Sequence, residues 1–316
     1  MGPILTDADP PMLGQLQAFG LLIVYCLVYV LPLHLWAATR ASPSRSRDAP
    51  EAIRARIRSV SFSTAACSLA TLFIILGSTS NPSSETPLDH LTLALHLMGY
   101  WPVGYIETIK SLLLTALLFA GPLYECLVVD GLWIQWLRLE PVHHVWTEWP
   151  TWRNMVAGPV TEECLFRSAA VPLLLLAGSD MRSIIFFSPV VFGVAHVHHF
   201  YEFRVTHPGT PLAVAVARSV LQFSYTSIFG AYATFIYLRT GSLIAAVSIH
   251  TLCNSIGLPR VWGVVEPYWL HTHVSKQARC LLPWTVLYYA LLLGGCLLWK
   301  FNLYSLTDSP MALTVV

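Results

Sequence analysis

The sequence predicts an all-α, polytopic membrane protein: about eight transmembrane helices enclosing a polar cavity near the cytosolic face, in one integral domain spanning 1–316. Three observations predict it. Hydrophobic residues make up 55% of the 316-residue chain and charged residues only 11%, whereas a soluble domain carries about 25% charged residues. The apolar residues fall into runs near the ~20-residue length that a membrane-crossing helix needs. The few ionisable side chains within those runs are grouped.

Taken in order, the apolar runs cover roughly 17–38, 59–78, 104–129, 154–177, 182–200, 211–238, 241–257 and 281–300. A shorter piece, "LTLALHLMGYWP" at 91–102, is expected to lie in the interface or to re-enter. Between the first two runs sit Arg40, Arg45, Arg47, Arg54, Arg56 and Arg58, opposed only by Asp48 and Glu51. The next loop, 79–103, holds Glu85 and Asp89 and no lysine or arginine. The excess of arginine places 39–58 in the cytosol and both termini on the far side. Arg260, Lys276 and Arg279 in 258–280 then fall on the cytosolic side as well. The aromatic-rich "WIQWLRLEPVHHVWTEWPTW" reads as an interfacial anchor.

Other features exclude function classes. The net charge is +1 and no long basic tract occurs, so no nucleic-acid partner is expected. Seven cysteines are scattered without a C-x-x-C pair and read as small buried hydrophobes. The N-terminal segment is acidic and lacks the basic start of a cleavable signal. Asn81-Pro82-Ser83 is barred from glycosylation by its proline.

Three polar clusters lie inside the apolar runs, where an unpaired charge costs several kcal/mol (~3 on insertion scales). In "GPVTEECLFRSAAVPLLLL", Glu163 and Arg167 are four apart and share a helix face, while Glu162 points about 100° away. A structural ion pair needs one carboxylate; this stretch supplies two. In "FGVAHVHHF", Phe192 and His196 share a face, and His198 and His199 are expected nearer the water. In "SIHTLCNSIG", His250 and Asn254 are again four apart and can both donate hydrogen bonds, to an oxyanion or between helices. A single histidine in a span is more often a helix-to-helix hydrogen bond. With alternating span directions, however, Glu162, His196 and His250 all fall about 6–12 Å from the cytosolic face at helical rise. That agreement favours one hydrated cavity.

Two glutamates, two histidines and an asparagine around water form a hydrolytic set, in which a glutamate and a histidine deprotonate water for attack on a carbonyl. Neither G-x-S-x-G nor H-E-x-x-H occurs. Cys253, near His250, is expected to be an inert buried thiol. No cofactor is required, although a metal ion held by Glu162 and His196 would use the same side chains. Intramembrane acids and histidines also mark proton- or ion-coupled transporters, but the two halves show no internal repeat.

The ordered motifs E-E-x-x-x-R (Glu162, Glu163, Arg167), F-x-x-x-H (Phe192, His196) and H-x-x-x-N (His250, Asn254) resemble the CAAX protease and bacteriocin-processing family. The motif core covers about 150–258, and the arginine-rich first cytosolic loop is similar to that of its type II CAAX prenyl endopeptidase branch. The resemblance implies an endopeptidase of the endoplasmic reticulum membrane. Its substrates are farnesylated or geranylgeranylated Cys-a-a-X proteins such as Ras-type GTPases, from which it removes the last three residues. It further implies that Glu162 and His196 activate the water, that His250 and Asn254 form the oxyanion site, and that Glu163, Arg167 and Phe192 support them.

Overall fold

The structure, a computed structural model, describes residues 13–43, 46–78, 87–270 and 278–314. The readings placed on the N-terminal segment, on Asn81-Pro82-Ser83, on Arg45 and on Lys276 lie outside the described residues. Within them the chain is helical throughout, with no β-strand among the described residues. The helices are α1 (Gln15–Leu35), α2 (Pro50–Ser78), α3 (Pro87–Leu97), α4 (Tyr105–Leu118), α5 (Ala120–Val129), α6 (Trp133–Leu137), α7 (Glu140–Thr147), α8 (149–176), α9 (Ser183–Thr206), α10 (Leu212–Thr240), α11 (Leu243–Ile256) and α12 (Ala278–Leu306).

All eight apolar runs are helical, but not all are long and apolar enough to cross a bilayer by themselves. Five are: α1, α2, α9, α10 and the part of α12 from Cys280 to Leu306. A sixth is the pair α4–α5, bent by 83° at its break. α8 fails on charge, because every 18-residue window in it contains at least three of Arg153, Glu162, Glu163 and Arg167. α11 fails on length, since its 14 residues rise only ~21 Å against a hydrocarbon core of ~30 Å. These are the two helices that carry the first and third polar clusters.

α8 is the central helix. From Leu165 to Leu174 its side chains are buried on every face, with Leu165, Ala169, Val171, Leu173 and Leu174 all at 0% exposure. A helix apolar all round belongs inside a bundle, and α1, α2, α9 and α11 surround it. Hydrogen bonds between helices reinforce this packing, as expected where lipid removes most of the hydrophobic force between helices. Tyr25 Oη pairs with Thr71 Oγ1 at 3.0 Å, and Thr71 Oγ1 donates to the Ala169 carbonyl at 2.9 Å. Tyr29 Oη pairs with Thr161 Oγ1 at 3.0 Å. The short α3, from the "LTLALHLMGYWP" region, packs Ala94, Leu97 and Met98 against Ile75 of α2. Outward faces carry apolar side chains such as Phe62, Phe73, Ile228, Leu293 and Phe301, the surface a bilayer covers.

α9 and α10 approach closely at Gly230. A Cβ there would lie 2.7 Å from Pro189 Cβ and 3.2 Å from both Arg167 Nη2 and Phe192 Cδ1. The proline ring cannot rotate away. Gly230→Ala is therefore expected to destabilise the protein by about 1–3 kcal/mol through overpacking, seen as a lower melting temperature in detergent. Gly294→Ala, where a Cβ meets nothing within 4 Å, should leave melting unchanged. Equal melting of the two variants would mean that the α9–α10 contact is loose.

Candidate active site

The site begins with a fault in α8. Helical backbone runs through 149–176, but two π-helical turns, Arg153–Ala157 and Cys164–Ala169, flank the α-helical turn Gly158–Glu163. Pro159 is the cause at the first, because it has no N–H to give. The Gly158 N–H turns back to the Arg153 carbonyl. Neither Gly158 nor Pro159 then serves the carbonyl of Asn154, and Pro159 cannot serve that of Met155. A carbonyl that loses its helical donor is open to another partner, and α11 supplies one to each. Asn254 Nδ2 donates to Asn154 O at 2.9 Å, and Thr251 Oγ1 donates to Met155 O at 2.9 Å. The two bonds staple α11 onto the faulted turn and so fix His250, the neighbour of Thr251. π-turns of this kind recur at functional sites.

Behind the turn lies a buried charge cluster. Arg167 Nη1 donates to Glu163 Oε1 at 3.1 Å, and Arg167 Nη2 donates to the Gly230 carbonyl at 3.1 Å. Glu163 Oε1 also accepts from His250 Nδ1 at 2.7 Å. Side-chain exposure is 0% for Glu163 and 1% for Arg167. The guanidinium lies 4.8 Å from the Phe192 ring centroid and 5.9 Å from that of Phe229, placing a cation over aromatic faces where desolvation strengthens the contact.

In front of the turn lies a more open set. Glu162 Oε2 is 4.0 Å from His196 Nε2 and 3.9 Å from His250 Nε2. His196 Nδ1 lies 2.9 Å from the Phe192 carbonyl. A carbonyl only accepts, so Nδ1 carries the proton and neutral His196 presents the Nε2 lone pair to Glu162. Both imidazoles are therefore oriented by their far nitrogens and aim their near nitrogens at one carboxylate oxygen. Glu162 (19% exposed) and His196 (16%) are open to cavities, unlike Glu163.

Two cavities meet here. One is large, about 970 Å³, and mostly apolar, walled by Ile185, Phe186, Phe229, Tyr232, Phe235 and Trp299. The other, about 180 Å³, is walled by arginines, Arg47, Arg56 and Arg153. Glu162, His196, His199, Asn154 and Asn254 line both.

Each motif residue thus has a place. Glu162, His196 and His250 converge, while Glu163, Arg167 and Phe192 stand behind them. Asn254 lines the junction, but one of its amide N–H groups is committed to the Asn154 carbonyl. His198 and His199 are half-buried, not solvated. His199 Nδ1 lies 2.9 Å from Arg47 Nη1 and 3.0 Å from Glu202 Oε2, and Glu202 is also bound by Arg56. Among the described residues, the three potential metal ligands whose atoms all lie within 4.8 Å of one another are His34, His198 and Glu202, outside the Glu162 set. Thr251, Phe229 and the arginine wall carry no spacing signal; Pro159 inside an apolar helix was the legible sign that nearby carbonyls need donors.

The Type II CAAX prenyl endopeptidase Rce1-like family model matches residues 144–256, the segment from α7 to the end of α11. The chain is 34% identical over 289 residues to "Probable CAAX prenyl protease 2" of Schizosaccharomyces pombe, covering 90% of this chain and 91% of that one. The chain belongs to the type II CAAX prenyl endopeptidase family. The CAAX prenyl protease 2 of Homo sapiens is 33% identical over 83% of this chain and 77% of its own length. That of Saccharomyces cerevisiae is 28% identical over 94% of this chain and 98% of its own. No solved structure matches the chain significantly. As a type II CAAX prenyl endopeptidase it is a hydrolase, and a transporter reading falls away.

The cluster behind the turn sets a stability prediction. Arg167→Ala leaves Glu163 buried without its cation, a loss of about 3–5 kcal/mol for a buried pair, read as a large drop in detergent melting temperature. Arg167→Lys restores the charge but not the fork that reaches Glu163 and Gly230 together, so melting recovers only in part. Unchanged melting in Arg167→Ala with turnover abolished would instead make Arg167 a substrate contact.

Proposed function

We propose that this enzyme removes the aaX tripeptide from prenylated Cys-a-a-X proteins, Ras-type GTPases among them, at the endoplasmic reticulum membrane, with Glu162 and His196 activating the attacking water. The observation that carries the reading is the position of Glu162, between a large apolar cavity and a small basic one. The bond to be cut joins a prenylated cysteine to a short peptide tail. A farnesyl or geranylgeranyl chain suits the apolar side, the tail suits the polar side, and the scissile carbonyl then lies at the carboxylate. The arginine-rich segment 39–58, whose Arg47 and Arg56 line the polar cavity, supports a cavity opening to the cytosol.

The geometry supports a defined division of labour. The 4.0 Å gap between Glu162 Oε2 and His196 Nε2 is too long for a direct hydrogen bond and suits one bridging water. Glu162 takes the water's proton, with His196 Nε2 as the second acceptor holding the water in line. The resulting hydroxide attacks the prenylcysteine carbonyl carbon and the carbonyl oxygen becomes an oxyanion. Asn254 can offer its remaining amide N–H there. To donate from Nε2, His250 must hold protons on both nitrogens, with its Nδ1–H on Glu163. Collapse breaks the C–N bond, and the proton on Glu162 passes to the leaving amine. In the alternative mechanism a metal ion held by Glu162 and His196 would use the same side chains and would supply a Lewis acid to the carbonyl.

Glu162→Gln and His196→Ala should each lower tripeptide release from a prenylated Cys-a-a-X peptide by at least about 100-fold, with the protein still folded in the membrane. Cys253→Ala should retain normal turnover. A folded, inactive Cys253→Ala together with an active Glu162→Gln would replace this mechanism with a thiol one.

Treatment with EDTA followed by its removal should leave the rate within about twofold. Activity lost on chelation and restored by added Zn²⁺ would place a metal ion between Glu162 and the imidazoles.

A further inference from the structure

The arginine wall of the smaller cavity has no part in the chemistry above. Arg56 is consumed: its Nε donates to the Thr39 carbonyl at 2.8 Å and its Nη2 binds Glu202. Arg47 Nη1 contacts Glu202 at 3.2 Å and lies 2.9 Å from His199 Nδ1, and its Nε is 3.9 Å from Asp48. Arg153 is the arginine of this wall that shares a helix with Glu162. Its Nη1 donates to Asp48 Oδ1 at 2.7 Å and its Nε to Asn154 Oδ1 at 3.0 Å, leaving Nη2 without a partner among the described residues. Its side chain is 22% exposed and lines the cavity that Glu162 also lines. Apart from Glu162, the cluster holds Arg47, Arg56 and Arg153 against Asp48 and Glu202, one positive charge in excess.

We propose that Arg153, held beside Arg47 by Asp48, receives the C-terminal carboxylate of the substrate's last residue. This rests on the proposed prenyl-peptide reading of the Glu162 site and names how that site recognises the tail. Two considerations carry it. The first is charge. A peptide tail ending in a carboxylate enters beside ionised Glu162, and the like charges repel unless a cation takes the tail. A guanidinium with an open donor edge is the group best shaped to bind a carboxylate. The second is reach. Three extended residues span about 10 Å. Arg153 precedes Glu162 by nine residues on the same helix, about 13 Å of axial rise, and a long side chain covers the difference. An arginine at that distance measures the chain end from the scissile bond, so that the cut leaves three residues. Asp48 holds Arg153 in place. Burial pushes its carboxyl up, but the Arg153 hydrogen bond and the charges of Arg153, Arg47 and Arg56 outweigh that and hold it below the usual range, so it stays ionised at neutral pH.

The test compares two prenylated Cys-a-a-X peptides of one sequence, one ending in the free acid and one in the carboxamide, with the full-length enzyme in membranes. The wild type should prefer the acid by about tenfold or more in kcat/KM, with the difference in KM, as expected for one charge-assisted contact. In Arg153→Gln the acid-to-amide ratio should fall to about one, and Arg153→Lys should recover part of it. A wild type that cleaves both peptides equally well overturns the proposal and leaves the prenyl-peptide reading standing. So does an Arg153→Gln enzyme that keeps the full acid preference, which would mean that Arg153 only anchors Asp48 or meets a lipid headgroup. A wild type that cleaves neither peptide overturns the functional reading itself, and the proposal with it.

Discussion

The buried pair of Glu163 and Arg167 is the interaction on which the other parts of the site depend. Both charges are wholly out of water, where such a pair persists only through close partners; Glu163 Oε1 and both Arg167 terminal nitrogens have them, while Glu163 Oε2 and Arg167 Nε have none among the described residues. Arg167 spans from the Glu163 carboxylate on its own helix to the Gly230 carbonyl on α10, with the Phe192 ring of α9 against its flat face. Glu163 in turn holds His250 of α11. One ion pair thus gathers four helices, three of which carry motif residues. At the same place only a glycine fits against the Pro189 ring, and its bare backbone lets the Gly230 carbonyl reach the guanidinium.

The fault in α8 has the complementary role. An unbroken helix would keep its carbonyls to itself and give α11 nothing polar to bind. Pro159 and the π-turn before it expose two carbonyls, and Thr251 and Asn254 take them. The position of His250 is therefore set from two sides, by a carboxylate on its ring and by backbone acceptors for its neighbours one and four residues on. The cost of breaking the ladder is offset by those two bonds, and the outcome is a rigid turn that presents Glu162 to the cavities. Asn254 thus commits one of its two amide N–H groups to the broken helix.

Adjacent glutamates divide between these two environments. Glu163 faces the protein and is fixed; Glu162 faces the cavity junction and is free. The junction joins an apolar space of about 970 Å³ to a small basic one, a pairing that suits an amphipathic substrate cut at the border between its lipid and its peptide. Under the proposed function, water, prenyl chain and peptide tail would have separate places; the arginines lining the small cavity lie on segments that precede the motif core or open it.

The sequence by itself determined that the chain is helical and membrane-embedded, because hydropathy and the scarcity of charge act locally and add up along each run. It also made the motif residues legible: charge inside an apolar run is expensive, so Glu162, Glu163, Arg167 and His196 stand out wherever they pack, and four-residue spacing fixes which pairs share a face. The tertiary structure alone decided how helices meet. That His250 binds Glu163 at its far nitrogen and faces Glu162 with the near one, that Phe229 and Gly230 complete the arginine's surroundings, and that His199, expected at the water, meets Arg47 are all contacts between segments distant in the chain. The packing of four helices around α8 is likewise decided between distant segments, whereas the shortfall of α8 in charge and of α11 in length is local. Periodicity reports which face of a helix is apolar; it carries no information on which other helix that face will meet.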